Sequence, residues 1–169
     1  MMRYSLLAVC VMLSLAASRA AALFEGAADA SFELPAGVAI TDLSVRGRID
    51  DRNVTFTLAF TAKTTLEDRT IALLAGDLVV QELVQPNEGY TLHYDAEKRA
   101  YFITFTNKGT RDVAVQFAVR PMRTGEDDWR EASFRVPDSR LRMLELTCDR
   151  VDREVRFPGA MRVEREVDD

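Results

Sequence analysis

The chain predicts an all-β fold: an antiparallel two-sheet β-sandwich, immunoglobulin-like or jelly-roll-like, of about nine or ten strands. Three observations carry this. Apolar residues recur at every second position along most of the sequence, the period of a half-buried strand. Turn-forming residues punctuate those runs at near-regular spacing. No window of about 15 residues combines helical periodicity with capping residues.

The N-terminus stands apart. Arg3 precedes an apolar run from Leu6 to Ala17, and Ser18-Arg19-Ala20-Ala21-Ala22 follows. Charged, apolar and then small is the order of a secretory signal peptide. The run is shorter than the roughly 20 apolar residues a membrane-spanning helix needs. Residues 1–22 are therefore expected to be a leader, residues 23–163 the sandwich domain and residues 164–169 a charged tail. The mature chain is then extracytoplasmic, periplasmic or secreted. It carries no transmembrane anchor, since no later stretch reaches spanning length.

The first strand pair is the clearest. Val54, Phe56, Leu58, Phe60 and Ala62 alternate with Thr55, Thr57, Ala59 and Thr61. Ala39 to Ile49 reads as the antiparallel partner, joined through Asp50-Asp51-Arg52-Asn53, residue types that bond nearby backbone and tolerate left-handed dihedrals. Thr70–Leu74 and Leu78–Val84 are apolar runs split at Ala75-Gly76-Asp77, where the glycine suggests a turn or bulge. Tyr90–Tyr94 and Tyr101–Thr106 flank a polar loop. With Ala96–Arg99 as that loop, Tyr94 stands opposite Tyr101 and Leu92 opposite Ile103. Asn107–Thr110 turns into the alternating Val113, Val115, Phe117 and Val119, ended by Pro121, which cannot donate to a ladder. Beyond the polar loop Met122–Asp128, Trp129–Val136 and Leu141–Cys148 read as two more strands. Apolar parity changes within the second, so a bulge is expected near Met143. Val155–Phe157 and Met161–Val163 are candidate short strands, and the residues from Glu164 onward read as frayed.

Composition narrows the function classes. About 147 residues remain after the leader, one domain that can bury a core without metal or disulfide help. Loss of Arg3 and Arg19 leaves 20 basic against 27 acidic residues, a net charge of −7. That balance disfavours nucleic acid and anionic lipid, both of which need a basic face. Cys10 leaves with the leader, so Cys148 is alone and reads as a buried, apolar strand residue. Arginine outnumbers lysine 19 to 3, a usage common in GC-rich bacterial genomes, and in a bacterial protein the Asn53-Val54-Thr55 glycosylation match would be a coincidence.

Reactive constellations are not evident. His93 is the only histidine, and its neighbours Leu92 and Tyr94 face the opposite side of the strand. It reads as an outward residue without the nucleophile and acid of a triad. One Cys and one His do not make a zinc site. The acidic pairs, Glu126-Asp127-Asp128 among them, lack the spaced oxygen ligands of a calcium loop. Glycines are never clustered as a phosphate loop requires. A hydrolase would need two carboxylates across a groove. No catalytic, cofactor or metal residue is therefore expected. The candidate ligand-binding residues are Trp129, Tyr90, Tyr94 and Tyr101, whose ring faces suit a sugar or an apolar protein surface.

Val45-Arg46-Gly47-Arg48-Ile49, the alternating Val54–Ala62, Ile71-Ala72-Leu73-Leu74-Ala75-Gly76, Gly89-Tyr90-Thr91-Leu92, Phe134-Arg135-Val136-Pro137 and Leu144-Glu145-Leu146 form a series. Over about residues 38–157 it resembles exported β-sandwich regions near the N-termini of large, uncharacterised bacterial envelope proteins. The resemblance implies a β-sandwich in the cell envelope and brings no catalytic residues. This chain differs in being short and in having no downstream anchor, so it is expected to be a freestanding or truncated relative. The expected role is a non-catalytic module for protein interaction or structural support, with an unidentified envelope protein or polysaccharide as partner. The alternative is a carbohydrate-binding domain that uses the exposed aromatics.

Overall fold

The computed structural model describes residues 2–6, 30–49, 54–84, 89–123, 130–139, 141–148 and 164–167, with side chains for all of these except 2–6, 141–142 and 164–167. Among them are thirteen strands and no helix: β1 (Met2–Leu6), β2 (Val38–Ile49), β3 (Val54–Thr64), β4 (Arg69–Gly76), β5 (Leu78–Leu83), β6 (Tyr90–Asp95), β7 (Ala100–Phe105), β8 (Gly109–Val119), β9 (Met122–Arg123), β10 (Arg130–Glu131), β11 (Phe134–Arg135), β12 (Leu141–Cys148) and β13 (Glu164–Val167). No helix among the described residues is long and apolar enough to cross a membrane.

Seven strands form one sheet in the order β13-β1-β12-β2-β3-β8-β5, and four form a second in the order β11-β4-β7-β6. β9 and β10 make a separate two-stranded ribbon. One buried cluster draws on both larger sheets. Leu43, Val45, Phe56, Leu58, Val113, Val115 and Phe117 come from the first, and Ile71, Leu73, Leu74, Ile103 and Phe105 from the second. The fold is all-β, mostly antiparallel, and consistent with a β-sandwich.

Period-two alternation explains the central strands directly. On β3 the residues Val54, Phe56, Leu58, Phe60 and Ala62 are buried, and the intervening Thr55, Thr57, Ala59 and Thr61 are half-buried on the other face. β3 pairs with β2 as expected, Val45 opposite Leu58 and Gly47 opposite Phe56. Within β2 the register slips by one residue between Thr41 and Ser44, where Asp42 takes φ +57. Aspartate suits this bulge because its short polar side chain tolerates the left-handed region.

The run Ile71-Ala72-Leu73-Leu74 is buried throughout and does not alternate. Two features account for it. A bulge shifts the β4–β7 register between Ala72 and Leu74, and Ala72 is covered from the outer side by Ala30, Phe32 and Ala100. At Gly76 the chain leaves the four-stranded sheet and enters the seven-stranded one as β5. Its φ is +136, and a Cβ there would come within 2.9 Å of the Ser133 carbonyl oxygen, so glycine is required. The expected turn or bulge is thus a passage between sheets.

Three expectations change. β12 joins β2 in parallel, so the sheet is not wholly antiparallel; about ninety residues separate the two strands, ample for a crossover connection. Trp129–Val136 is not one strand, because β10 and β11 are two-residue strands in different sheets. Glu164–Val167 of the expected tail forms β13 beside β1. Met2–Leu6, at the start of the expected leader, pairs antiparallel with Leu144–Cys148 in this structure of the whole chain. The bulge expected near Met143 is present, as a register shift between Leu141 and Met143. Cys148 is fully buried in the main cluster with a free thiol.

Candidate functional site

The hairpin β6–β7 carries most of the candidate aromatics, and its register is the one the sequence implies. Tyr90 stands opposite Phe105, Leu92 opposite Ile103 and Tyr94 opposite Tyr101. Asp95 and Ala100 close a four-residue loop, Ala96–Arg99. Asp95 Oδ1 accepts hydrogen bonds from the backbone N–H groups of Glu97 and Lys98, both at 3.0 Å, and Arg99 completes the turn at φ +48. An aspartate at this position bonds backbone two and three residues on, which fixes the loop and hence the pairing.

The two faces of the hairpin present different rings. On the core side, Tyr94 and Tyr101 are a tilted pair with centroids 4.8 Å apart, and Tyr94 is 52% exposed. The Tyr101 hydroxyl accepts a hydrogen bond from the Val80 N–H of β5 at 3.4 Å, which ties the two sheets together at this end. On the outer side, exposed His93 stacks on Phe102 at 5.5 Å, and Lys98 Nζ lies over the Phe102 ring at 5.3 Å. Lys98 also sits 3.9 Å from Asp95 Oδ2, a solvent-exposed contact of little energetic weight.

Tyr90 corrects one expectation. Its ring is only 3% exposed and meets Phe105 edge-on at 6.2 Å, so it offers no face to a ligand. The parity that turns Tyr94 toward the core turns Tyr90 the same way, and only the strand end is left open. The Tyr90 hydroxyl is buried with no hydrogen-bond partner among the described residues, and burial pushes its pKa above the usual range. Arg69 Nε is orphaned likewise and occupies the same cross-strand row, Arg69–Phe105–Tyr90. Of the four candidate residues, Tyr94 and Tyr101 are brought together and Tyr90 is internal. Trp129 lies outside the described residues, as do the Glu126–Asp128 loop and the Asp50–Asn53 turn with its glycosylation match.

Backbone direction at β6 follows from one bond. Thr106 N–H donates to the Gly89 carbonyl at 3.1 Å, so residue 89 directs its backbone groups toward the neighbouring strand. In an antiparallel pair this alternates, so Thr91, His93 and Asp95 also bond toward β7. The N–H and C=O groups of Tyr90, Leu92 and Tyr94 point the other way. β6 is the last strand of its sheet among the described residues. Along its outer side the groups of Leu92 and Tyr94 are open, whereas Tyr90, 3% exposed, is covered.

A second feature was not legible in the sequence. Ala30, Ser31, Phe32, Glu33 and Leu34 run over the outer face of the four-stranded sheet without forming a strand. Phe32 is 3% exposed, lies under the Arg135 guanidinium at 4.7 Å, and gives its carbonyl to Asp138 N–H at 2.9 Å. Between this segment and the hairpin runs an open groove of about 520 Å³ lined by Ser31, Glu33, Leu34, Pro35, Lys98 and Phe102 among others. Its lining contains one carboxylate, Glu33. Among the described residues no three His, Cys, Asp or Glu side chains converge as metal ligands would. The arrangement offers ring faces and backbone hydrogen bonds, the chemistry of binding. No family model and no curated protein matches the chain.

Proposed function

We propose that the chain is an exported, non-catalytic two-sheet β-sandwich module of the cell envelope that binds a protein partner by strand addition at β6. The observation that carries the reading is the outer side of β6, the last strand of its sheet among the described residues: six residues in unbroken register, backbone groups of Leu92 and Tyr94 directed outward, and Tyr94 more than half exposed. In strand addition the main chain supplies affinity and alternate side chains supply specificity. The signal-peptide pattern of residues 1–22 supports export, and the cluster shared by both larger sheets supports the sandwich.

The test is capture from envelope extract on immobilised chain, wild type beside Leu92→Pro, with and without polysaccharide-degrading treatment. The Leu92 N–H points away from β7, so proline there blocks an added strand without removing a β6–β7 bond. Capture that survives the treatment and is lost in the variant supports the reading. Capture unchanged by Leu92→Pro sinks it.

The tilted Tyr94–Tyr101 pair favours a second reading, a carbohydrate-binding domain in which these rings and Trp129 stack on sugar. Capture lost on polysaccharide degradation, and abolished by Tyr94→Ala or Trp129→Ala, would move the assignment there.

A further inference from the structure

We infer that removal of residues 1–22 opens the edge of β12, and that in the exported chain this edge takes up a short extended segment of a partner protein in the place β1 holds in the whole chain. The inference rests on the proposed export of the chain and not on the use of β6.

In the whole chain β1 lies between β12 and β13, antiparallel to both. β1 belongs to the expected leader, so export removes the strand that covers β12. β13 pairs with β1 and, among the described residues, with no other strand, so it loses its neighbour at the same time. The side of β12 away from β2 is then a row of backbone donors and acceptors without a ladder partner.

The chemistry of the occupant follows from β12 and from the strand seated on it. Leu146 and Cys148 are buried in the main cluster, and Leu144 packs against it. Glu145, between them, faces the other way and meets Arg46 Nε at 3.4 Å. Met2, Tyr4 and Leu6 stand opposite Cys148, Leu146 and Leu144, and Arg3 and Ser5 stand opposite Thr147 and Glu145. Paired residues share a side of the sheet, so positions 2, 4 and 6 belong to the core side and 3 and 5 to the outer side. The site therefore takes an antiparallel segment with three apolar residues at alternate positions and basic or polar residues between. Main-chain bonds supply affinity and the alternate apolar residues supply register.

β13 does not meet that description. It reads Glu164-Arg165-Glu166-Val167, and Arg165 lies in the row of Tyr4 and Leu146. Moving β13 one place inward would bring a cation to the core-side row, where burial of an unpaired charge is costly. The vacancy thus calls for a segment from outside the chain. A five-residue seam is small beside the about 1,600 Å² of a standard stable interface, so micromolar affinity is expected.

The test compares chain isolated from the envelope with the unprocessed chain 1–169 made without export. The probe is a synthetic peptide of residues 1–8, and the readout is amide exchange by NMR beside binding titration. In the processed chain every second amide of Leu144–Cys148 is expected to exchange freely and to gain protection when the peptide is added. In the unprocessed chain those amides are protected from the start, and the peptide binds several-fold more weakly because β1 already holds the place. A peptide carrying Tyr4→Asp sets a carboxylate opposite Leu146 and is expected to bind several-fold more weakly to the processed chain. Should the processed chain fail to stay folded, Tyr4→Asp in the unprocessed chain carries the test, with faster exchange in Leu144–Cys148 and restored peptide binding expected.

A processed chain whose Leu144–Cys148 amides are all protected without peptide overturns the inference, because the chain has closed its own edge. So does a peptide that binds both forms alike, or neither, or equally well with Tyr4→Asp. Protection that rises with the concentration of the processed chain itself makes a second copy the occupant and overturns the partner segment. Each of these leaves export standing. Chain recovered from the envelope with the mass of residues 1–169 overturns the leader reading and the inference together.

Discussion

β5 and β6 each end a sheet, and they end it differently. β5 pairs with β8 through a register shift between Val80 and Glu82, its Val80 N–H is taken by the Tyr101 hydroxyl, and Gln81 and Glu82 are exposed. β6 runs six residues with no shift and leaves the outward backbone groups of Leu92 and Tyr94 open. Bulges and charges are the usual means by which a sheet edge is kept from recruiting a strand. β5 has both, although Val79 is 64% exposed on its surface. β6 has neither. Exposed apolar area alone would have pointed to β5 as the docking edge; the state of the backbone points to β6.

The largest expected effect tests how firmly β5 is anchored. β5 lies on β8, whose Phe117 is fully buried between Phe56 at 5.6 Å and Phe134 at 5.1 Å. Phe117→Ala is expected to destabilise the fold by about 3–5 kcal/mol in chemical denaturation. A loss below about 1 kcal/mol would mean the ring cluster does not hold this side of the molecule, and the contrast between a closed and an open edge would lose its basis.

Tyr94→Ala acts on the open edge. It removes one partner of a half-exposed ring pair, worth about 0.5–1.5 kcal/mol, so the domain should melt slightly earlier but remain folded. Partner capture should fall several-fold in the same variant; unchanged capture would place the docking edge elsewhere.

Tyr101→Phe is aimed at the closed edge. Loss of the hydroxyl frees the Val80 N–H, at a cost of about 0.5–1 kcal/mol, and amide exchange at Val80 should quicken while β6 exchange is unaltered. If Val80 exchange does not change, the hydroxyl does not guard that edge.

The smallest effect has the opposite sign. Tyr90→Phe removes a buried hydroxyl that has no partner among the described residues, and is expected to stabilise by up to about 1 kcal/mol. Burial raises the Tyr90 pKa in the folded state. The unfolded chain therefore ionises first, near pH 10, and stability is lost as pH rises from there through the folded value. Wild type should lose more stability than Tyr90→Phe between about pH 9 and 11. Equal losses would show that the hydroxyl is solvated after all.

Much of this geometry was written locally. Alternation at Val54–Ala62 and Val113–Val119 set both the strands and the faces they bury, because successive side chains on a strand point to opposite sides. The loop Ala96–Arg99 fixed the Tyr94–Tyr101 and Leu92–Ile103 pairs, because a hairpin's register is set by its turn. The change of parity inside Leu141–Cys148 marked a bulge. The same rule placed His93 opposite Phe102, a stack that was readable from the register although His93 drew notice only as a lone histidine.

What tertiary structure decided was partnership between distant segments. Ile71–Leu74 and Leu78–Val84 look alike in sequence, yet Gly76 sends them into different sheets. Tyr90 and Tyr94 share a strand face, yet one is enclosed and the other open because only one lies over the core. β12 lies parallel to β2, and Phe32, with no strand of its own, seals an outer face. The physical reason is that a period-two pattern states which side of a strand is apolar and is the same for every partner that could cover it. Closing a long loop costs little more than closing a short one, so sequence distance does not choose among those partners. The choice is made by the sum of contacts across both sheets, and with it the identity of the edge strand left to bind.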